Sequence, residues 1–144
     1  MYPAFCAARA VLEGSRVDRL ILIVIEATDV LKTVELYRDG FGVDLHVDDH
    51  EGGSHGDDDR WTSGTHGAYS WTDGAFLHFA VYPAREDGPT RNVQIGFTTD
   101  DLDAAHQRAM AHGAELVHPA RAEPWGVTSR YRDFDGNVIS FTTR

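Results

Sequence analysis

Residues 93–111 read Val-Gln-Ile-Gly-Phe-Thr-Thr-Asp-Asp-Leu-Asp-Ala-Ala-His-Gln-Arg-Ala-Met-Ala, and their pattern indicates the unit from which the chain is built. Its first five residues include β-branched and aromatic side chains, which is typical of a strand. Asp100 or Asp101 can cap a helix, because a carboxylate accepts the free backbone N–H groups of a first turn. Apolar residues then recur every three to four positions. The stretch therefore predicts a strand followed by a helix over 102–111.

The same plan occurs once before in the chain. An apolar run over 20–25, rich in β-branched residues, predicts a strand, and Asp29 can cap the helix after it. That helix has one apolar face at helical spacing: Val30, Val34, Tyr37 and Phe41. Leu22 and Asp29 match Gln94 and Asp101 at a constant offset of 72 residues. The chain therefore contains an internal repeat.

Each helix is followed by three further predicted strands. These strands cover residues 41–47, 68–72 and 75–82 in the first half, and 114–117, 128–133 and 137–142 in the second. Asp73-Gly74 is a hairpin signal between two strands of the first half, and Gly74 matches Gly136 at an offset of 62. The stretch 48–59 has no apolar residue, so it predicts a solvated loop.

These elements predict an α+β fold made of two tandem βαβββ modules within a single domain, 18–144. Module one covers 18–83 and module two covers 92–144. The stretch 84–91, with an Asp-Gly-Pro turn signal, is predicted to link them. Residues 1–17 show no clear period and are predicted to form an N-terminal tail.

The composition narrows the classes of partner. Lys and Arg number 13 against 23 Asp and Glu, which gives a net charge of −10 at pH 7. An acidic protein repels phosphates, so nucleic acid and anionic membranes are excluded as partners, whereas a cationic guest is favoured. The longest apolar run has six residues, far short of a membrane helix. A single cysteine, Cys6, and the lack of a basic start predict a cytoplasmic protein.

One stretch near the C-terminus carries a family resemblance. Residues 131–137 read Tyr-Arg-Asp-Phe-Asp-Gly-Asn, after a Pro-Trp-Gly at 124–126. They resemble the aromatic-Arg-Asp-Pro-Asp-Gly-Asn turn of the vicinal oxygen chelate superfamily, with Phe134 in place of the usual proline. That superfamily includes glyoxalase I, extradiol dioxygenases and bleomycin resistance proteins. The resemblance covers 20–144, and it implies sheets that curve into a cup, a homodimer and, in the enzymes, a divalent metal in the cup.

The resemblance also locates the family's four metal-ligand positions in this chain. They fall on Leu22, His78, Gln94 and Ser140. Leucine cannot bind a metal, serine is a poor ligand and a neutral glutamine is weak. Sliding each strand by two residues recovers neither a second histidine nor a carboxylate. The sequence therefore predicts no metal and no cofactor in the cup.

Strand alternation places Leu22, Glu26, His78, Gln94 and Ser140 on the cup side. The hairpin registers decide the rest. A two-residue turn would pair Tyr69 with His78, whereas a three-residue turn would move Tyr69 to the opposite face. Burial favours pairing Arg130 with Ser140, and Trp125 can form a wall for a flat ligand. The candidate ligand-binding residues are Leu22, Glu26, Tyr69, His78, Gln94, Trp125, Arg130 and Ser140.

Three functions compete at this point. The first is a binding protein that holds a small organic molecule in the cup without a metal, as in drug sequestration. The second is a lyase, isomerase or dioxygenase that acts next to a carbonyl, with His78 or Glu26 as the base. The third is an interaction domain whose cup is filled by its own side chains. Other histidines, His118 among them, fit no common ligand spacing and are predicted to lie on the surface.

Overall fold

The structure is a computed structural model that describes residues 20–50, 64–71 and 77–143, with the backbone alone for 48–50 and 64–71. The predicted tail, most of the acidic stretch and the Asp73-Gly74 turn lie outside the described residues. In chain order the elements are β1 (Leu22–Ala27), α1 (Val30–Glu35), β2 (His46–His50), β3 (Gly64–Trp71), β4 (Leu77–Pro83), β5 (Gln94–Thr98), α2 (Leu102–Ala111), β6 (Glu115–Glu123), β7 (Gly126–Arg132) and β8 (Val138–Thr143).

The strands form two four-stranded sheets with the same plan. Sheet one has the order β1-β4-β3-β2, and sheet two has the order β5-β8-β7-β6. In each sheet the first strand runs parallel to the last, and the other pairs are antiparallel. The chain is therefore an α+β protein with a repeated strand–helix–strand–strand–strand unit, as its internal repeat predicts.

Both helices begin where the capping residues predict. The Asp29 carboxylate accepts from the backbone N–H of Lys32 at 3.0 Å, and that of Asp101 accepts from Ala104 at 2.9 Å. α1 then continues as a π-helical turn, Leu36–Gly40. None of the helices among the described residues has the length and apolar character that a membrane crossing needs.

One hydrophobic core joins the two modules. One face of each sheet packs on the helices, and alternate residues of each strand are buried there. The largest fully buried side chains are Tyr37, Tyr131, Phe79, Ile25, Leu36, Leu45 and Ile139. We call the opposite face of each sheet its open face, because it carries the strand residues that point away from this core.

A buried polar network crosses between the modules at the turn that carries the family resemblance. Asp133 is 6% exposed and accepts from the hydroxyl of Tyr37 at 2.8 Å and from the backbone N–H of Asn137 at 2.9 Å. It also accepts from the Asn137 side-chain amide at 2.9 Å and from the backbone N–H of Asp135 at 3.0 Å. The motif therefore holds module two against the first helix of module one.

Several strand boundaries differ from those predicted. β1 begins at Leu22 rather than at residue 20, and β2 begins at His46 rather than at residue 41. Over 41–45 alternate residues are buried, which imitates a strand, but the chain there makes local turns instead of pairing. β2 also extends into the predicted acidic loop, since 48–50 pair with β3.

β6 is the largest departure, because it runs nine residues where the sequence predicts four, 114–117. The predicted strand ends two residues before Pro119, and proline removes a hydrogen-bond donor from a strand. An edge strand tolerates proline at an irregularity, and β6 is the edge of sheet two with register shifts on both sides of His118.

Candidate ligand-binding site

The open face of sheet two carries a row of three polar residues and one glycine across its four strands. Ser140 lies between two core residues of β8, so alternation directs it to the open face. It pairs with Gly96 of β5 and with Arg130 of β7, and Arg130 pairs with His118 of β6. The register predicted for Arg130 and Ser140 is thus the one observed.

Gly96 leaves this row uncovered at one end. A Cβ atom at that position would lie 3.1 Å from the hydroxyl oxygen of Ser140, which is tighter than an ordinary contact. Because glycine has no such atom, no side chain of residue 96 covers the hydroxyl of the half-buried Ser140, and Gly96 itself is exposed.

His118 ends the row with an unsatisfied nitrogen. Its Nδ1 lies 2.9 Å from the backbone oxygen of Pro119, and a carbonyl only accepts, so Nδ1 carries the hydrogen. Its Nε2 is buried and has no hydrogen-bond partner among the described residues. A buried polar atom without a partner costs about 1–3 kcal/mol, which a ligand group or water would recover.

The charges around the row are mostly positive. Arg121 donates from Nε to Glu123 at 2.8 Å, and this bond is the main reason that the pKa of Glu123 lies below its ordinary value. Partial burial opposes the shift, while the charges of Arg121, Arg130 and His118 reinforce it. Among the described side chains, no carboxylate lies within 4.0 Å of the Arg130 guanidinium. Arg130 therefore has no ion-pair partner among the described side chains, and Glu123 lies near enough for the charge of Arg130 to lower its pKa.

Trp125 lies at the tip of the hairpin that carries this row. It occupies the two-residue turn between β6 and β7, and 61% of its surface is exposed. An exposed indole at this position provides a flat apolar surface at the end of the hairpin, about 16 Å of extended chain from Arg130.

The open face of sheet one has a different character. Leu22 is half exposed and pairs with the half-buried His78, which brings these two candidates together. The Glu26 carboxylate accepts from Arg85 at 2.7 Å, and its side chain is 13% exposed. Thr90 also donates to the backbone oxygen of Glu26 and accepts from its N–H, both at 2.8 Å. Glu26 is therefore held by the connection between the modules.

The remaining candidates lie in other rows. β3 pairs with β4 in the register of a three-residue turn, so Tyr69 is opposite the core residue Phe79 and not opposite His78. Residues opposite each other share a face, so position 69 lies on the helix-facing side of sheet one. Gln94 pairs with Val138 on sheet two, one row away from Ser140.

The donors at the family's metal positions do not fit a divalent ion. Leu22 offers no donor, and it is the direct partner of His78. Gln94 and Ser140 belong to different rows of the other sheet, and an amide and a hydroxyl are weak ligands. Among the described residues, Glu35, Asp39 and His112 come close enough to share an ion, but both carboxylate oxygens of Asp39 already accept from Arg38.

Sequence reasoning missed the contribution of β6, namely His118, Arg121 and Glu123. The signal was present, since charged and small residues continue past Pro119 up to the turn at Pro124-Trp125. An edge strand with a proline at an irregularity would have extended the hairpin to that turn. His118, predicted as a surface histidine, is instead partly buried.

Known structures share this architecture. A glyoxalase/bleomycin resistance protein from Streptomyces sp. CB03234 is 26% identical, with a TM-score of 0.58 over 86% of this chain and 99% of its own. TnmS3, an antibiotic binding protein from the same organism, is 22% identical, with a TM-score of 0.62 over 88% and 96%. A glyoxalase-related enzyme from Fulvimarina pelagi is 16% identical, with a TM-score of 0.64 over 89% of each chain.

Of the sequence comparisons, the one with family models identifies a family. No curated protein matches the sequence. The model of the Glyoxalase/Bleomycin resistance protein/Dioxygenase superfamily matches residues 19–141, which is most of the chain. The chain belongs to the Glyoxalase/Bleomycin resistance protein/Dioxygenase superfamily.

Proposed function

We propose that this protein binds a small organic molecule with an acidic oxygen on the open face of sheet two, and that it does so without a metal ion. The observation that carries the proposal is the row of Ser140, Arg130 and His118, which ends in a buried nitrogen without a partner among the described residues. Sequestration of a drug-like molecule is the role this favours, since one structural relative is named an antibiotic binding protein.

The chemistry of His118 supports an acidic group. With the hydrogen on Nδ1, the neutral ring presents Nε2 as an acceptor, so it suits a carboxylic acid, phenol or enol O–H. If the proton moves to the ring, the guest becomes an anion beside a second cation, Arg130. Either form satisfies the buried nitrogen, and a charge-assisted hydrogen bond is stronger than a neutral one.

This local charge reverses the expectation from composition. The net charge of −10 favours a cationic guest, but the open face of sheet two carries Arg121, Arg130 and Arg132. Glu123 and Glu115 compensate two of these guanidinium groups, at 2.8 Å and 3.4 Å. The third, Arg130, is left for a guest, so an anionic group is favoured there.

The alternative of a carbonyl-adjacent lyase, isomerase or dioxygenase has less support. Its candidate base Glu26 is ion-paired with Arg85 and mostly buried, so its carboxylate is occupied. His78 stays a candidate base in that alternative. Complete recovery of the bound molecule after long incubation with the protein is the result expected of a binder.

The resemblance also implies a homodimer, and the edge of sheet one supports it. Leu20, Ile21 and Leu22 are 65%, 54% and 50% exposed beside the edge strand β1. We infer that a second copy covers this apolar edge. Size-exclusion chromatography with light scattering tests the inference, with Ile21→Lys expected to give a monomer. A monomeric wild-type protein would contradict it.

The test of the binding proposal is calorimetric titration with bicyclic aromatic acids, 2-naphthoate first, in the presence of chelator. Arg130→Met should weaken binding at least about tenfold, because it removes a charge-assisted bond. Arg91→Met, which removes an exposed arginine of the connection, is the matched control and should leave the affinity unchanged. Equal affinities for wild type and Arg130→Met, or binding that requires a divalent metal, would contradict the proposal.

A further inference from the structure

A cleft lies at the seam between the two modules, and none of its lining residues belongs to the row of Ser140, Arg130 and His118. Its volume is about 240 Å³. Module one contributes the chain just after the π-helical turn, residues 41–44. Module two contributes the end of β5, one residue of β8 and one residue of α2.

Three of the nine residues that line this seam cleft are phenylalanines, but the surface that the cleft exposes is more polar than apolar. Phe41 and Phe141 are buried with ring centroids 6.0 Å apart, and the half-buried Phe97 stacks on Phe141, also at 6.0 Å. Val43 completes the apolar lining on the side of module one. Phe41 and Phe141 are each only 3% exposed, so the half-buried ring of Phe97 is the aromatic surface that a guest can contact.

Arg108 provides the charge at the same cleft. Its guanidinium lies across the seam at Gly42, 3.5 Å from the point where a Cβ of that residue would be. Among the described side chains, no carboxylate lies within 4.0 Å of it. Gly42 has a φ of +77°, which favours glycine and leaves the guanidinium uncovered from that side. The cleft therefore places a guanidinium that has no ion-pair partner among the described side chains beside the half-buried ring of Phe97.

We propose that the seam cleft is a second binding site, which takes a small monocarboxylate with a compact apolar body. The carboxylate binds Arg108 and the apolar body contacts the ring of Phe97, while Thr98 lies on the same lining. The volume equals that of roughly eight liquid waters at about 30 Å³ each, which limits the guest to a single ring. Asp44, which also lines the cleft, disfavours a second negative charge on the guest.

This inference is independent of the proposed function, because the two sites share no residue. The open-face site depends on Arg130 and His118, and the seam cleft depends on Arg108. A ligand at one site therefore responds to the variant of that site alone. The two proposals fail separately.

The experiment is calorimetric titration of the full chain with benzoate at low ionic strength. Arg108→Met should weaken binding at least about tenfold, because it removes the charge that the carboxylate contacts. The substitution retains a helix-forming residue at an exposed position, and thermal unfolding checks that the fold is unchanged. Arg38→Met removes one positive charge outside the cleft and is the matched control, with unchanged affinity expected.

Three outcomes would overturn the proposal. The first is that benzoate gives no measurable heat up to about 10 mM. A dissociation constant above this concentration is too weak for a specific site. The second is equal loss of affinity in Arg108→Met and Arg38→Met, which would make the effect one of net charge. The third is loss in Arg130→Met but not in Arg108→Met, which would assign benzoate to the open face. Benzyl alcohol, which lacks the charge, should bind at least about tenfold more weakly than benzoate.

Discussion

The two sheets share their strand order and one core, but their open faces have little in common. Sheet one presents the apolar Leu22 and Val24 and a glutamate that is paired with Arg85. Sheet two presents Arg130 without a carboxylate partner among the described residues and a histidine with a buried, unsatisfied nitrogen. On the helix-facing side, in contrast, both sheets contribute the same kinds of apolar residue to one core.

This difference shows which constraints a duplicated module keeps. The helix-facing residues are buried against each other, so each substitution there costs packing energy in both modules. The open-face residues lie outside that core and are free to diverge. We therefore expect the largest stability effects at the seam, ligand effects on sheet two, and only modest stability effects on the open face of sheet one.

The largest expected effect is at Asp133, which links the modules. Asp133→Ala removes a buried carboxylate that accepts four hydrogen bonds. The Tyr37 hydroxyl and the Asn137 side-chain amide then lose their bonds to Asp133. We expect a loss of about 4 kcal/mol in the free energy of unfolding, because several buried groups lose their partner. Urea unfolding followed by circular dichroism measures it.

Asp135→Ala is the matched control in the same turn. Its carboxylate accepts from the hydroxyl of Thr28 at 2.6 Å and from the Thr28 backbone N–H at 3.1 Å, both exposed. Because water replaces these bonds, the loss should be about 1 kcal/mol. Equal losses for the two aspartates would show that burial of the network does not determine its contribution.

The second prediction concerns the phenol at the other end of that network. Burial, and then the charge and hydrogen bond of Asp133, raise the pKa of Tyr37 well above its ordinary value of 10.0. Above that pH the unfolded chain loses a proton that the folded chain keeps, so stability falls as pH rises, by up to about 1.4 kcal/mol per pH unit. The Tyr37→Phe variant has no phenol at position 37, so it lacks this loss of stability at high pH.

Unfolding of both proteins at pH 7, 9 and 11 gives the comparison. At pH 7 the Tyr37→Phe variant should be about 2 kcal/mol less stable, because Asp133 loses one donor. Above pH 10 the difference should shrink as the wild type loses its advantage. A constant difference across this range would contradict the raised pKa.

Much of the architecture was predictable because its signals are local. Asp29 and Asp101 cap the two helices at the predicted positions, since a carboxylate before an apolar period has one favourable use. The pairing of Arg130 with Ser140 followed from burial, because the alternative register would expose core residues of β7 and β8.

The rest depends on contacts between distant residues. The chain over 41–45 alternates in burial as a strand does, yet none of the described strands pairs with it. The register of β3 against β4, which decides the face of Tyr69, depends on a turn whose length local sequence leaves open. His118 reaches the candidate site because β6 shifts register beside Pro119. Such irregularities cannot be derived from alternation alone.

The third prediction tests the open face of sheet one. Glu26→Gln removes a mostly buried ion pair with Arg85, so we expect a loss of about 1 kcal/mol in unfolding free energy. Binding of aromatic acids should not change, because Glu26 is on the other sheet. Parallel unfolding and calorimetric titration measure the two effects. A large loss of binding or turnover with little loss of stability would restore Glu26 as a functional group.

The smallest expected effect is at Glu123, which compensates part of the positive charge on sheet two. The hydrogen bond that Arg121 donates to Glu123 lowers the pKa of Glu123. The bond therefore stabilises the fold near neutral pH, and this stabilisation is lost as the pH falls below about 4.5. The stability of Glu123→Gln should therefore depend less on pH in the acid range than that of the wild type.

The same substitution also tests ligand binding on sheet two. The Glu123→Gln variant should bind 2-naphthoate about threefold more tightly at pH 7, because one repelling charge beside Arg130 is gone. Glu115→Gln, which is on the same strand but 69% exposed, should leave the affinity unchanged. Equal tightening in both variants would mean that the guest responds to net charge, and the contrast between the two open faces would then have no bearing on binding.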